Sequence, residues 1–256
     1  MDWVEGDTLG EYINNHHSNT LKMRNLRDQF RKLNKFLDAN KIAHGDIQDL
    51  NVLCKHDRIV LIDYDGMFVE GMQPGFGNEI GHKDYQHSFR NTAHFGPDMD
   101  HFSFILIDLT LSIIIERPDI FKKFKSGGEA LLFKANDYKN PNSSLVFQEC
   151  IGISALTENV KHFRSICLAD ISRVPSLADY LRGSNIPSQS SSPPTSSTKA
   201  PPIASYISSY EVLDATQYKL VEQCVGAKIE LVGKIVSVRK GTGKYGRGKG
   251  KPYVFL

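Results

Sequence analysis

His44-Gly45-Asp46-Ile47-Gln48-Asp49-Leu50-Asn51, followed by Ile59-Val60-Leu61-Ile62-Asp63-Tyr64-Asp65-Gly66, is the stretch whose reading decides the fold. Asn51 to Cys54 and Arg58 to Asp63 read as two short apolar strands, and Lys55 to Asp57 is the turn that joins them into a β-ribbon. Such a ribbon brings Asn51 and Asp63 together although twelve positions separate them. Upstream, Thr20 to Ile42 places Leu21, Leu26, Phe30, Leu33 and Leu37 at steps of three to five, the spacing of an amphipathic helix. The charges from Lys22 to Lys35 read as its solvated face. Downstream, residues 64 to 97 are rich in glycine and aromatics without periodicity, and a loop of that length inside a domain is usually functional. Asp98 to Glu116 is apolar nearly all round, which predicts a helix at the centre of the core. Weaker helical stretches follow at about 143 to 151, 157 to 169 and 175 to 182.

Composition limits what surrounds this stretch. The chain has 256 residues, 40% of them hydrophobic and 23% charged, enough apolar material for one substantial core or two modest ones, which excludes a disordered or fibrous protein. Thirty-one Lys and Arg against 29 Asp and Glu give a net charge of +2, so any attraction to nucleic acid or to an anionic membrane must be local. The four cysteines are too few and too scattered for a disulfide scaffold and read as reduced, partly buried thiols. The amino terminus is acidic and has no secretory pattern, and the strongest apolar stretch, Phe102 to Ile115, contains Asp108 and is shorter than the roughly 20 residues of a membrane span. A cytoplasmic protein without a membrane partner is the expectation.

Serine and proline dominate from Ser184 to Ser205, which reads as a flexible, disordered linker. It divides the chain into a domain at 1–183 and a shorter segment at 206–256. In that segment Lys228 to Val238 alternates like a strand, and Pro252 to Leu256 begins another. Eight Lys or Arg fall between Lys228 and Lys251, against the single acid Glu230. Gly241 to Gly246 matches G-x-G-x-x-G, but no helix follows it, and a flexible basic hairpin accounts for it better than a phosphate-binding loop. The alternation after Val225-Gly226-Ala227 resembles the first strands of an OB-fold. That resemblance implies single-stranded nucleic acid as a partner, with Arg239, Lys240, Lys244, Arg247 and Lys249 on phosphates and Tyr245 under a base. A charge-blunted edge hairpin is the competing reading.

The deciding stretch resembles the catalytic loop and metal-binding segment of the protein kinase-like superfamily, H-x-D-x-x-x-x-N, a ribbon, then D-F-G, here with Tyr64 at the Phe position and Asp65 at the Gly. The resemblance covers most of residues 1 to 183 and implies a mainly α fold, the C-terminal lobe of such a domain with its short β-ribbon. It implies ATP and Mg²⁺ as cofactors and transfer of the γ-phosphoryl group to a hydroxyl, with Asp46 as the base and Asn51 and Asp63 on the metal. His44 and Gln48 would support the loop, and Asp100 would hydrogen-bond its backbone. Met1 to Leu9 resembles the segment linking the two lobes, which places Met1, Trp3 and Val4 on the nucleotide with Asn51 and Asp63. Gly81 to His87 falls where an activation segment closes on substrate.

Several positions depart from the pattern. Gly45 replaces the arginine that pairs with a phosphorylated activation loop, so control of that kind is not expected. Gln48 stands where protein kinases carry a lysine, and the His-Gly-Asp form also resembles aminoglycoside and choline phosphotransferases, so protein and small-molecule substrates both remain open. No glycine-rich strand, strand lysine or helix glutamate precedes the loop. The expectation is therefore a fragment, cut at both ends, that by itself binds Mg-ATP weakly. A catalytically inactive scaffold with a nucleic-acid-binding tail is the alternative. The paired histidines His16-His17 and His82/His87 lack metal-ligand spacing and read as structural.

Overall fold

In a computed structural model, residues 5–125 and 130–188 are described in full and, beyond them, the backbone of four short strands between 211 and 255. The chain divides into two compact units, Met1–Pro194 and Thr195–Leu256, and the division falls inside the Ser/Pro-rich stretch.

The first unit is mainly helical. Strand β1 (Asp7–Thr8) leads directly into α1 (Leu9–His16), a helix that the reading of residues 1 to 9 as a linking segment passed over. Thr8 and Glu11 close a capping box at its start: Thr8 Oγ1 accepts from the Glu11 amide and Glu11 accepts from the Thr8 amide. Helix α2 (Thr20–Ala39) starts at Asn19, whose side chain accepts from the Lys22 amide. Its inner face is Met23, Leu26, Phe30, Asn34 and Leu37, steps of three and four. Leu21, expected on that face, is 68% exposed, and Met23 takes its place.

Strands β2 (Val52–Lys55) and β3 (Arg58–Leu61) form the antiparallel ribbon, with β1 added on the far side of β2. Val52 faces Leu61 in the register, and the Ile62 amide donates to the Asn51 carbonyl at 3.0 Å, which continues the pairing to the residue before Asp63. Residues 64 to 100 run as turns with one 3₁₀ turn at Lys83–Tyr85, tied down by isolated bridges between Ala43 and Phe68 and between Gly75 and Phe95.

Helix α3 (His101–Glu116) is the centre of the unit, with every residue from Phe102 to Ile115 buried. Helices α4 (Pro118–Phe124), α5 (Ala135–Lys139), α6 (Leu145–Ile151), α7 (Thr157–Leu168) and α8 (Leu177–Arg182) gather around it. Phe102, Phe133, Tyr138, Phe147 and Phe163 meet ring against ring at centroid distances of 5.0 to 6.1 Å, such as Phe102 to Tyr138 at 5.1 Å and Phe147 stacked on Phe163 at 5.7 Å. Such pairs add about 0.5–1.5 kcal/mol each beyond the area they bury.

Two of the charges assigned to the solvated face of α2 do different work. Arg31 reaches across to α3 and grips the buried Asp108 with both nitrogens, Nε to Oδ1 at 2.6 Å and Nη2 to Oδ2 at 3.0 Å, and Arg27 Nη1 donates to Ser112 Oγ at 3.1 Å. The helix that looked uniformly apolar therefore meets α2 through a polar seam. Among the described residues no helix is long and apolar enough to cross a membrane. Cys54, Cys150 and Cys167 are free and buried, and burial pushes the Cys54 and Cys150 thiols up to about 12. Cys224 lies outside the described residues.

The structured chain also runs past the expected start of the linker. Ser184 and Asn185 both hydrogen-bond Asp179 of α8, Ile186 packs on the core and Pro187 is buried, so the first unit extends to about the point where serine becomes continuous. In the second unit, β4 (Glu211–Asp214) pairs in parallel with β5 (Ile229–Val232), and β6 (Arg239–Thr242) pairs antiparallel with β7 (Pro252–Phe255). Gly241 thus lies within β6, and residues 243–251 lie outside the described residues.

Candidate functional site

The site is the loop between α2 and the ribbon, together with the two segments that hold it. Gly45 turns the chain with φ +86°, and a Cβ there would meet the Gly66 carbonyl oxygen at 2.5 Å, so the turn needs glycine. Asp100, fully buried just before α3, accepts from the amides of both His44 and Gly45, the latter at 2.9 Å. Burial pushes its carboxyl up, and the two amides act against that. With both oxygens engaged, Asp100 fixes the start of the loop to the central helix.

His44 carries the constraint onward. Its Nε2–H donates to the Ile62 carbonyl at 2.9 Å, and its ring lies edge-on to Tyr64 at 5.8 Å, so it ties the loop to the chain on both sides of Asp63. Asp63 itself adopts φ +63°, a left-handed conformation that a non-glycine residue takes at some cost, and its exposed carboxylate makes no hydrogen bond or ion pair among the described residues.

Asp46 is half-buried and receives three donors. The His82 amide reaches Oδ1 at 2.7 Å, and Asn51 Nδ2 and Gln48 Nε2 reach Oδ2 at 2.9 and 3.1 Å. Asn51 Nδ2 also donates to the Asp46 carbonyl at 3.0 Å, and its Oδ1 accepts no hydrogen bond among the described residues. The loop therefore brings Asp46, Gln48 and Asn51 into one network, and strand pairing sets Asn51 beside the turn that carries Asp63.

The resemblance places Gly81 to His87 against the substrate, but it does not foresee the donors that this segment sends to Asp46 and Gly45. Gly81, at φ +81°, leaves no room for a Cβ: Gly45 O and Asp46 Oδ1 would lie at 2.7 and 2.9 Å. Gln86 Nε2 donates to the Gly45 carbonyl at 3.3 Å. That segment is anchored from behind, since Ser103 Oγ donates to the Tyr85 carbonyl and Tyr138 Oη to the Asp84 carbonyl, at 2.7 and 2.6 Å. The glycine at 81 was the one sequence signal for the close approach, because a backbone amide has no side-chain signature.

Asn51 Oδ1 and both oxygens of the Asp63 carboxylate have no hydrogen-bond partner among the described residues. Hard oxygen donors of this kind, few in number, suit Mg²⁺, which keeps most of its shell for water and phosphate. Among the described residues no cluster of three or more His, Cys, Asp or Glu is arranged to hold a metal. His87, buried, spends Nδ1 on the Phe89 amide and Nε2 on the Ile166 carbonyl, as a structural histidine does. Met1, Trp3, Val4, Lys244, Tyr245, Arg247 and Lys249 lie outside the described residues. Arg239 and Lys240 sit in β6, opposite Phe255 and Val254. No protein-family model matches the chain, and a search of curated proteins finds no match.

Proposed function

We propose that the loop is the catalytic centre of a kinase-like phosphotransferase. The observation that carries the reading is the single network of Asp46, Gln48 and Asn51, pinned to the core by Asp100 and joined to the Asp63 turn by His44. Its base would be Asp46: Oδ1 and Oδ2 are held in place by amide donors from three directions, so the carboxylate meets a substrate hydroxyl without having to reorganise. The hydroxyl oxygen attacks the γ-phosphorus, its proton passes to Asp46, and the bond from the γ-phosphorus to the bridging oxygen breaks to release ADP. Asn51 and Asp63 would hold Mg²⁺, which neutralises charge developing on the phosphates. The orphan Oδ1 of Asn51 and the unpaired Asp63 carboxylate support that assignment.

The test is transfer from labelled ATP to a panel of hydroxyl acceptors, proteins and small alcohols, by the full chain. Asp46→Asn should reduce transfer by about 100-fold or more, since a positioned base contributes at least that much. Asp63→Asn should weaken metal-dependent nucleotide binding. If no transfer is seen and both variants bind nucleotide as the wild type does, the enzyme reading fails and a scaffold without turnover replaces it.

A further inference from the structure

A cavity of about 320 Å³ is walled by Pro74, Phe95, Met99, Phe102 and Val174, with Arg90 among its lining residues. Cavities of this size that combine an apolar wall with a few polar groups are typical of small-molecule sites. Arg90 is the unusual member. Its Nη1 donates to the His94 carbonyl at 2.6 Å, and among the described residues its buried Nε has no partner and no carboxylate lies within ion-pairing distance. The acid it feels through space, Asp100, already accepts from two amides. Asp98, which also lines the cavity, has a side chain 82% exposed and stands near His101. His87 has both ring nitrogens engaged elsewhere. Withdrawing a guanidinium from water without a counter-charge is costly, and desolvation holds the Arg90 pKa below the ordinary arginine value.

We propose that this cavity binds a small organic anion, an apolar body carrying a carboxylate or phosphate, with the anionic group on the Arg90 guanidinium and the body against Phe95, Met99, Phe102 and Val174. Arginine presents a planar fork that pairs with either group. The proposal is independent of phosphoryl transfer, although the two places share a wall: Gln86 lines the cavity and donates to the Gly45 carbonyl.

Calorimetry on the full chain tests it with benzoate, phenyl phosphate, inorganic phosphate and the uncharged benzyl alcohol. Saturable binding of benzoate or phenyl phosphate is expected, with benzyl alcohol and inorganic phosphate weaker by about tenfold or more, as loss of a charged hydrogen bond or of the apolar body requires. Comparison of the two aromatic anions tells which acid the site takes. Arg90→Gln should lose the binding by a similar factor, with circular dichroism to check its fold. Val174→Trp fills the space while leaving Arg90 in place and should lose it as well. Absence of binding by both aromatic anions, benzyl alcohol binding as tightly as they do, or binding that survives in a folded Arg90→Gln or in Val174→Trp would overturn the proposal.

Discussion

At the scale of single residues, the site depends on Asp100 as much as on the groups that face solvent. Two buried amides at the head of the loop have this carboxylate as their acceptor. Asp100→Ala leaves both unsatisfied and should destabilise the first unit by about 3 kcal/mol, the scale set by stranded buried donors, read as a shift in urea midpoint. An unchanged midpoint would mean that the loop is held by something else. The sequence marked Asp46, Asn51 and Asp63 by their spacing in a pattern that resembles the kinase-like loop, and Asp100 only as what that resemblance implies. It did not mark the His82 amide on Asp46 or the Gln86 contact to Gly45, because those depend on a fold-back across some 36 and 41 positions in which only Gly81 carries a visible trace.

At the scale of elements, the seam between α2 and α3 decides stability. Arg31→Met strands Asp108, which is 2% exposed, and should cost about 3–5 kcal/mol, as breaking one side of a buried pair does. The double variant Arg31→Met with Asp108→Leu removes both charges and should recover most of that loss; recovery of nothing would show that the arginine acts through packing and not through its charge. This seam was not legible in the sequence. Arg31 and Asp108 are 77 positions apart, and an arginine among many charges on an amphipathic helix looks solvated. By contrast, the ribbon and the central helix α3 were legible, because strand-length apolar runs and an all-apolar helix each have few alternatives. The first helix, Leu9–His16, is not read from the sequence even though Thr8 and Glu11 spell a capping box, since eight residues give too little periodicity to stand out.

At the scale of the whole molecule, acid should weaken the first unit through His87. Burial holds this ring below the ordinary histidine value, so the unfolded chain takes up the proton first. The contribution of the neutral ring is complete above about pH 6.5 and is lost as the pH falls toward the folded-state value. Denaturant unfolding between pH 7.5 and about 5 should therefore show a stability that declines with acid, and His87→Gln should decline less steeply. Equal slopes would mean that His87 does not set the acid dependence. The division near Pro194 could be read from serine and proline alone, whereas the extension of the folded unit through Pro187 could not, because it depends on Asp179 capturing Ser184 and Asn185.

The proposed metal-nucleotide site of Asn51 and Asp63 beside Asp46 is tested most directly by paramagnetic broadening in NMR spectra. Mn²⁺ added with ATP to the isotope-labelled chain should broaden the amide signals of Asp46, Asn51 and Asp63 first, and Asp63→Asn should abolish that selectivity. Broadening confined to other parts of the chain, or the same pattern in Asp63→Asn, would contradict it.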